Sequence, residues 1–285
     1  MWLQPLGWDR QPANALGIDW SHPLATSLVF YGYPQGNTVV DLVSGNMAVR
    51  GTGCDLAVKP WNVGTSRQTD GGVLCATTPA SSGVWRWGSA ATQLDSQSLN
   101  NGPLTLFALG MGTTATTTPI IFSTADNFNG SGFGLCADDN AFFGPGEICQ
   151  AFNSSLVTSG VAAAANQLTS VANNKLHFFG CGYDGTNVFS YYQGLFRNSG
   201  ASALKINSSG VARQTQFGAM YSTGPSASAC ALGIAFNRIL SLQEYQQLWT
   251  NPWALVKAQP AKFFIGAGAA PSSQLWVNTR PVFNF

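Results

Sequence analysis

The sequence predicts an all-β protein, a two-sheet antiparallel sandwich with one short C-terminal helix near residues 241–250, on three observations. Only 9% of the 285 residues are charged, against roughly 25% in an ordinary soluble domain. Gly, Ala, Ser, Thr and Asn stand where long exposed helices would carry Lys and Glu, which suits many short strands joined by turns. Short apolar runs recur between turn signals across most of the chain. The third observation is the stretch 230–253, CALGIAFNRILSLQEYQQLWTNPW, which reads as a strand, a tight turn, one capped helix and a stop.

Residues 1–23 carry Trp2, Trp8 and Trp20 with Pro5 and Pro12, too irregular for a regular element, and read as an arm. Apolar runs follow at 27–32 (SLVFYG), 38–43 (TVVDLV), 104–111 (LTLFALGM), 119–123 (PIIFS), 132–136 (GFGLC), 176–183 (LHFFGCGY), 187–193 (NVFSYYQ), 213–220 (RQTQFGAM) and 230–236 (CALGIAF). The clusters at 51–53, 113–118, 127–132 and 222–228 are too polar and glycine-rich for a core and read as loops. Asp184 and Gly185 join two of the runs, and Asp-Gly supplies the positive φ that a tight hairpin turn needs. In the last run Cys230, Leu232, Ile234 and Phe236 alternate with Ala231, Gly233 and Ala235, a period of two that sends one row of large side chains into a core. Ser241 with Glu244 makes an S-x-x-E capping box; Tyr245, Leu248 and Trp249 form the helix's apolar stripe, and Asn251 before Pro252 ends it. A flexible joint, GAGAAPSS at 266–273, leads to an aromatic tail with Trp276, Phe283 and Phe285. The division expected is an N-terminal arm at 1–20, a sandwich domain at 21–260, and a linker with an aromatic tail at 261–285.

Composition also narrows function. Net charge is +1 with Lys and Arg scattered singly, which leaves no electrostatic footprint for nucleic acid or an anionic membrane. The N-terminal residues lack a basic start and a continuous apolar core, and no apolar run approaches about 18 residues, so neither export by that route nor membrane insertion is expected. Six cysteines without a C-x-x-C are expected to be mostly buried free thiols; Cys136 with Cys149, across the FGPGE turn, is the pair to test for a bridge.

The opening HPLATSLVFYGY at 22–33, the DLVSGN at 41–46, the hairpin and the close IAFNRILSLQEYQQLWTNPW occur in an order that resembles the laminin G-like branch of the concanavalin A-like jelly-roll superfamily. The resemblance spans roughly residues 21–256. It rests on His177, Tyr183, Asp184 and Gly185 in the hairpin and on Phe236, Asn237, Arg238, Leu240, Ser241 and Glu244 at the close, with Leu176 standing where the family carries tryptophan. It implies a concanavalin A-like jelly roll.

Catalysis is not expected. A glycosidase needs two carboxylates about 5–10 Å apart, yet the chain's two glutamates are committed to a helix cap (Glu244) and to the FGPGE turn (Glu147). The E-x-D-x-x-E strand of jelly-roll glucanases is absent. Only two histidines occur, His22 and His177, and both read as structural, and there is no G-x-S-x-G. Calcium is the cofactor alternative that the resemblance brings: Asp126 with Asn127 and Asn129, and Asp138 with Asp139 and Asn140, are candidate ligands, with Asx-turn chemistry as the favoured competing reading. Trp85 and Trp87, on one side of a strand-like VWRW with Arg86 opposite, are the candidate sugar-stacking pair, with core packing as the competing reading.

The flanks decide between a free lectin and a subunit of something larger. Trp2, Trp8, Trp276, Phe283 and Phe285 are apolar surface without an evident home in a closed sandwich, and they read as docking residues for a partner. Low charge, paired arms, and the IDW opening with an NPW ending resemble virion proteins of tailed bacteriophages. That resemblance implies a non-enzymatic virion subunit, a capsid decoration or fibre-like protein. Such a subunit would bind other virion proteins in a homo-oligomer or a capsid or tail lattice and display a lectin-like sandwich toward a host surface glycan.

Overall fold

The alternating run at 230–236 becomes the centre of the molecule: Ser228–Phe236 is one strand with hydrogen-bonded neighbours on both edges, and every residue in it is buried. A computed structural model describes residues 11–12, 15–60, 62–63, 67–68, 72–79, 83–88, 94, 102–112, 120–124, 133–138, 147–152, 176–185, 187–192, 195–201, 214–220, 224–225 and 227–258. The strands in chain order are β1 (Ala15–Ile18), β2 (Leu28–Gln35), β3 (Thr38–Asp41), β4 (Val49–Arg50), β5 (Asp55–Lys59), β6 (Asn62–Val63) and β7 (Arg67–Gln68). Next come β8 (Val73–Thr78), β9 (Trp85–Arg86), β10 (Leu104–Gly112), β11 (Ile120–Ser123), β12 (Phe133–Asp138), β13 (Glu147–Phe152) and β14 (His177–Tyr183). The last are β15 (Asn187–Tyr192), β16 (Leu195–Ala201), β17 (Gln216–Phe217), β18 (Ala219–Met220), β19 (Gly224–Pro225), β20 (Ser228–Phe236) and β21 (Val256–Ala258). A 3-10 turn covers Pro23–Ser27 and the helix covers Leu242–Thr250.

Two antiparallel sheets dominate. One runs β16-β15-β14-β10-β20-β2-β3, with β8 also on β20 and β5 on β8; the other runs β13-β12-β11-β17-β9-β4. Between them lies a core of Phe30, Trp85, Trp87, Leu106, Phe122, Phe179 and Phe217. Phe30 meets Trp87 edge-on at 5.0 Å and stacks on Phe122 at 5.2 Å. Room for the Phe217 ring is made by two glycines directly opposite each other, Gly32 on β2 and Gly233 on β20. A Cβ on either would come within 2.6 Å of that ring.

The outer face of the larger sheet is buried as well, under the helix, the 3-10 turn and the residues around Trp253. Phe107 stacks on Tyr245 of the helix at 5.4 Å, and Tyr31 Oη donates to the Pro252 carbonyl at 2.8 Å. Leu232, Ile234 and Phe236 belong to this outer core, while Cys230 and Ala235 belong to the inter-sheet core. The single core row expected for β20 is therefore two rows in two cores. A register shift opposite Leu109 and Gly110 takes Ala231 out of step with β10, so Cys230 falls on the face opposite Leu232.

Local signals are realised where they were read. Asp41 Oδ1 accepts from the amides of Tyr31 at 3.0 Å and Val43 at 3.1 Å, and Oδ2 accepts from Ser44 N and Oγ, which folds DLVSGN into a turn. Gly185 turns the β14–β15 hairpin at φ 101°. Both halves of the capping box form, Glu244 N donating to Ser241 Oγ and Ser241 N to Glu244 Oε2. RQTQFGAM splits into β17 and β18 because Gly218, at φ 88°, packs so closely on Thr78 that no side chain would fit. Residues 15–18, read as part of an irregular arm, form β1 instead. Short and lacking strict alternation, β1 is recruited by a partner far away in sequence, β21.

Candidate functional site

Trp85 and Trp87 do not offer a sugar a free face. Trp85 opens β9 and Trp87 follows its last residue; alternation does set them on one side with Arg86 on the other, but that side is the inter-sheet core: both are 0% exposed. Trp85 Nε1 donates to the Thr77 carbonyl at 3.2 Å and Trp87 Nε1 to the Asn46 carbonyl at 3.0 Å. The Arg50 guanidinium stands over the Trp85 ring at 5.7 Å and is itself fixed by the Cys54 carbonyl and the Asp55 carboxylate. Their role is packing: both rings belong to the inter-sheet core, with Trp87 edge-on to Phe30 and to Phe217.

The titratable groups are occupied in turns and caps. Asp19 accepts from Ser21 Oγ and N, and these bonds hold its carboxyl below the usual range. Asp41 lies buried in its turn; desolvation pushes its carboxyl up, against four opposing donors. Asp55 pairs with Arg50 at 3.0 Å, and Glu244 pairs with Arg238 at 2.6 Å, which lowers Glu244 to about 2. His22 Nδ1 accepts from Leu24 N and starts the 3-10 turn. Desolvation raises the thiols of Cys54 and Cys230, and pushes that of Cys75 up to about 12, so these sulfurs stay protonated and poorly nucleophilic. Among the described residues no group of three or more His, Cys, Asp and Glu side chains is placed to hold a metal. Asp126 and Asp139 lie outside the described residues, as do Trp2, Trp8, Trp276, Phe283 and Phe285.

Three arrangements escaped sequence reasoning. Asp138 closes β12 and stands directly opposite Glu147, which opens β13 and so belongs to a strand end and not to the FGPGE turn. The second is a polar row across the outer face of the smaller sheet, where Arg86, Gln216 and Ser123 occupy successive opposed positions on β9, β17 and β11. Gln216 and Ser123 are buried, and Gln216 Nε2 and the neighbouring Thr124 Oγ1 have no hydrogen-bond partner. Single polar residues on two-residue strands carry no periodic signal, so only the register reveals them.

The third arrangement is a two-stranded ribbon. Ala15 stands opposite Ala258, Gly17 opposite Lys257 and Ile18 opposite Val256, with Asp19 N donating to the Leu255 carbonyl at 2.8 Å. The ribbon is sewn to the larger sheet. Gln35 Oε1 accepts from Ala15 N, Gln11 bonds the Leu74 amide at 2.6 Å and its carbonyl at 3.2 Å, Tyr33 Oη donates to the Pro12 carbonyl, and Trp253 meets Tyr33 edge-on at 5.8 Å. Because the pairing is antiparallel, Ala15 and Ala258 lie opposite each other at one end of the ribbon, about 5 Å apart. Trp20, 55% exposed, follows β1 directly.

No family model matches the chain, and no curated protein matches it in sequence. Its fold is similar to part of a Trypanosoma rangeli sialidase. A mutant displaying trans-sialidase activity aligns with TM-score 0.52 and 13% identity over 80% of this chain and 33% of the sialidase chain. The same sialidase in complex with a difluoro-KDN compound aligns with TM-score 0.52 and 12% identity over 85% and 37%. The chain thus spans about a third of the length of those proteins, and the likeness is one of fold. Domain 4 of a Geobacillus stearothermophilus arabinanase, with arabinotriose, is a looser match at TM-score 0.48, 11% identity and 78% and 98% coverage.

Proposed function

We propose that this protein is a non-catalytic structural subunit of a tailed-bacteriophage virion, docked to its neighbours through both flanks and presenting a lectin-like sandwich outward. The observation that carries the reading is the β1–β21 ribbon. It sets Ala15 opposite Ala258, which supports a reading in which Trp2 and Trp8 act together with Trp276, Phe283 and Phe285 on a single partner surface. The IDW opening, on which the phage resemblance rests together with the NPW ending, enters this ribbon through Ile18 and Asp19, which meet Val256 and Leu255. Asp19, Asp41, Asp55, Glu244 and His22 are absorbed in turns, caps and ion pairs, and the thiols of Cys54, Cys75 and Cys230 in the core, which favours docking over chemistry. The test compares the full chain with residues 11–258 by light scattering. Self-association of the full chain alone supports flank docking; identical monomers would overturn it.

The second reading is a glycan-binding module, calcium-dependent or not, and the polar row Arg86, Gln216 and Ser123 favours it. Arg86 is exposed in this row and Nε2 of the buried Gln216 beside it lacks a hydrogen-bond partner, donors of the kind sugar hydroxyls satisfy, and the fold is like part of a sialidase. A glycan array on residues 11–258, with and without calcium, tests it. Binding abolished by Gln216→Ala supports it, and a blank array removes it.

A further inference from the structure

We infer that Cys136 and Cys149 are a redox-active pair that closes into a disulfide across the β12–β13 hairpin. In the antiparallel register Phe133 opposes Phe152, Leu135 opposes Gln150 and Cys136 opposes Cys149 without a shift. Directly opposed residues of an antiparallel pair have Cα atoms about 4.5–5.5 Å apart, inside the roughly 4.4–6.8 Å that a disulfide spans.

The other thiols are poor competitors. Cys54, Cys75, Cys181 and Cys230 are buried, and Cys75 and Cys230 lie one register step apart on neighbouring strands, in different cores. The position also suits a cross-link. β13 ends the smaller sheet's strand order, and an edge strand held by one partner is the one that a covalent rung protects most from fraying or from pairing with another chain.

The reaction is a thiol–disulfide exchange with a small disulfide oxidant such as glutathione disulfide. The Cys149 or Cys136 thiolate displaces glutathione thiolate to give a mixed disulfide. The opposed thiolate then attacks the protein sulfur, forms the intramolecular S–S bond and expels the second glutathione; the two protein protons end on the two glutathione molecules.

The sequence makes the test direct, because no Lys or Arg lies between Arg86 and Lys175, and the tryptic peptide 87–175 contains Cys136 and Cys149 as its only cysteines. The full chain is equilibrated with glutathione disulfide, unfolded in guanidinium, alkylated without reductant, digested and weighed. The expected result is a peptide 87–175 that is unalkylated and two hydrogens lighter than its reduced form, with Cys54, Cys75, Cys181 and Cys230 alkylated. A second expectation is a lower urea midpoint on reduction, absent in the Cys136→Ser, Cys149→Ser double variant. A doubly alkylated peptide 87–175, a stable glutathione adduct, or a bridge from either residue to another cysteine would each overturn the inference.

Discussion

Glu244→Gln isolates one charge in a contact that joins the close of β20 to the start of the helix. The Glu244 carboxylate accepts from Arg238 Nη2 at 2.6 Å and Nη1 at 2.9 Å, and from Ser241 N at 2.8 Å; glutamine keeps an oxygen for the cap and loses the ion pair. The hydrogen bonds from Arg238 are the main reason that the carboxyl sits at about 2 and not at its ordinary 4.5. At about 1.4 kcal/mol per tenfold change that displacement is worth at most about 3 kcal/mol. The pair's side chains are 34% and 27% exposed, and solvent screening reduces the expected loss to about 1–2 kcal/mol at pH 7. Because the folded value is depressed, the stabilisation is present in full above pH 4.5 and disappears as pH falls toward 2. Urea unfolding of wild type and Glu244→Gln at pH 7, 5 and 3 reads it: the gap should be near constant from pH 7 to 5 and fall to about half or less by pH 3. A gap of the same size at pH 7 and pH 3, or none at pH 7, would refute the assignment.

Two further perturbations probe the inter-sheet core. Gly233→Ala places a methyl 2.6 Å from Phe217 Cε1 and 2.9 Å from Cζ, and should cost about 1–3 kcal/mol in chemical denaturation; a neutral result would mean the Phe217 ring is not seated on that glycine. Trp87→Phe removes the indole bond to the Asn46 carbonyl and part of the ring packed on Phe30 and Phe217, and should lower stability by about 1–3 kcal/mol. An unchanged denaturation midpoint would place the indole at the surface and reopen its reading as a sugar platform.

What the sequence by itself determined is whatever depends on neighbours along the chain. The helix with its Ser241–Glu244 box, the Asp41 turn, the Gly185 hairpin and most long apolar strands follow from capping oxygens, positive-φ glycines and period-two runs, and these act over a few residues. Strands β1, β5, β13 and β16 were not read from the sequence, because their polar and small residues carry no strict alternation and their pairing is supplied by a partner strand. Tertiary structure decided which face each row enters. A strand buried on both sides reads the same from sequence whichever core takes its large residues, and one bulge in β20 reverses that choice. Burial of Trp85 and Trp87, opposition of Cys136 and Cys149, and the pairing of β1 with β21 are likewise facts of register. They are set where distant segments bury apolar area together, so no local pattern contains them.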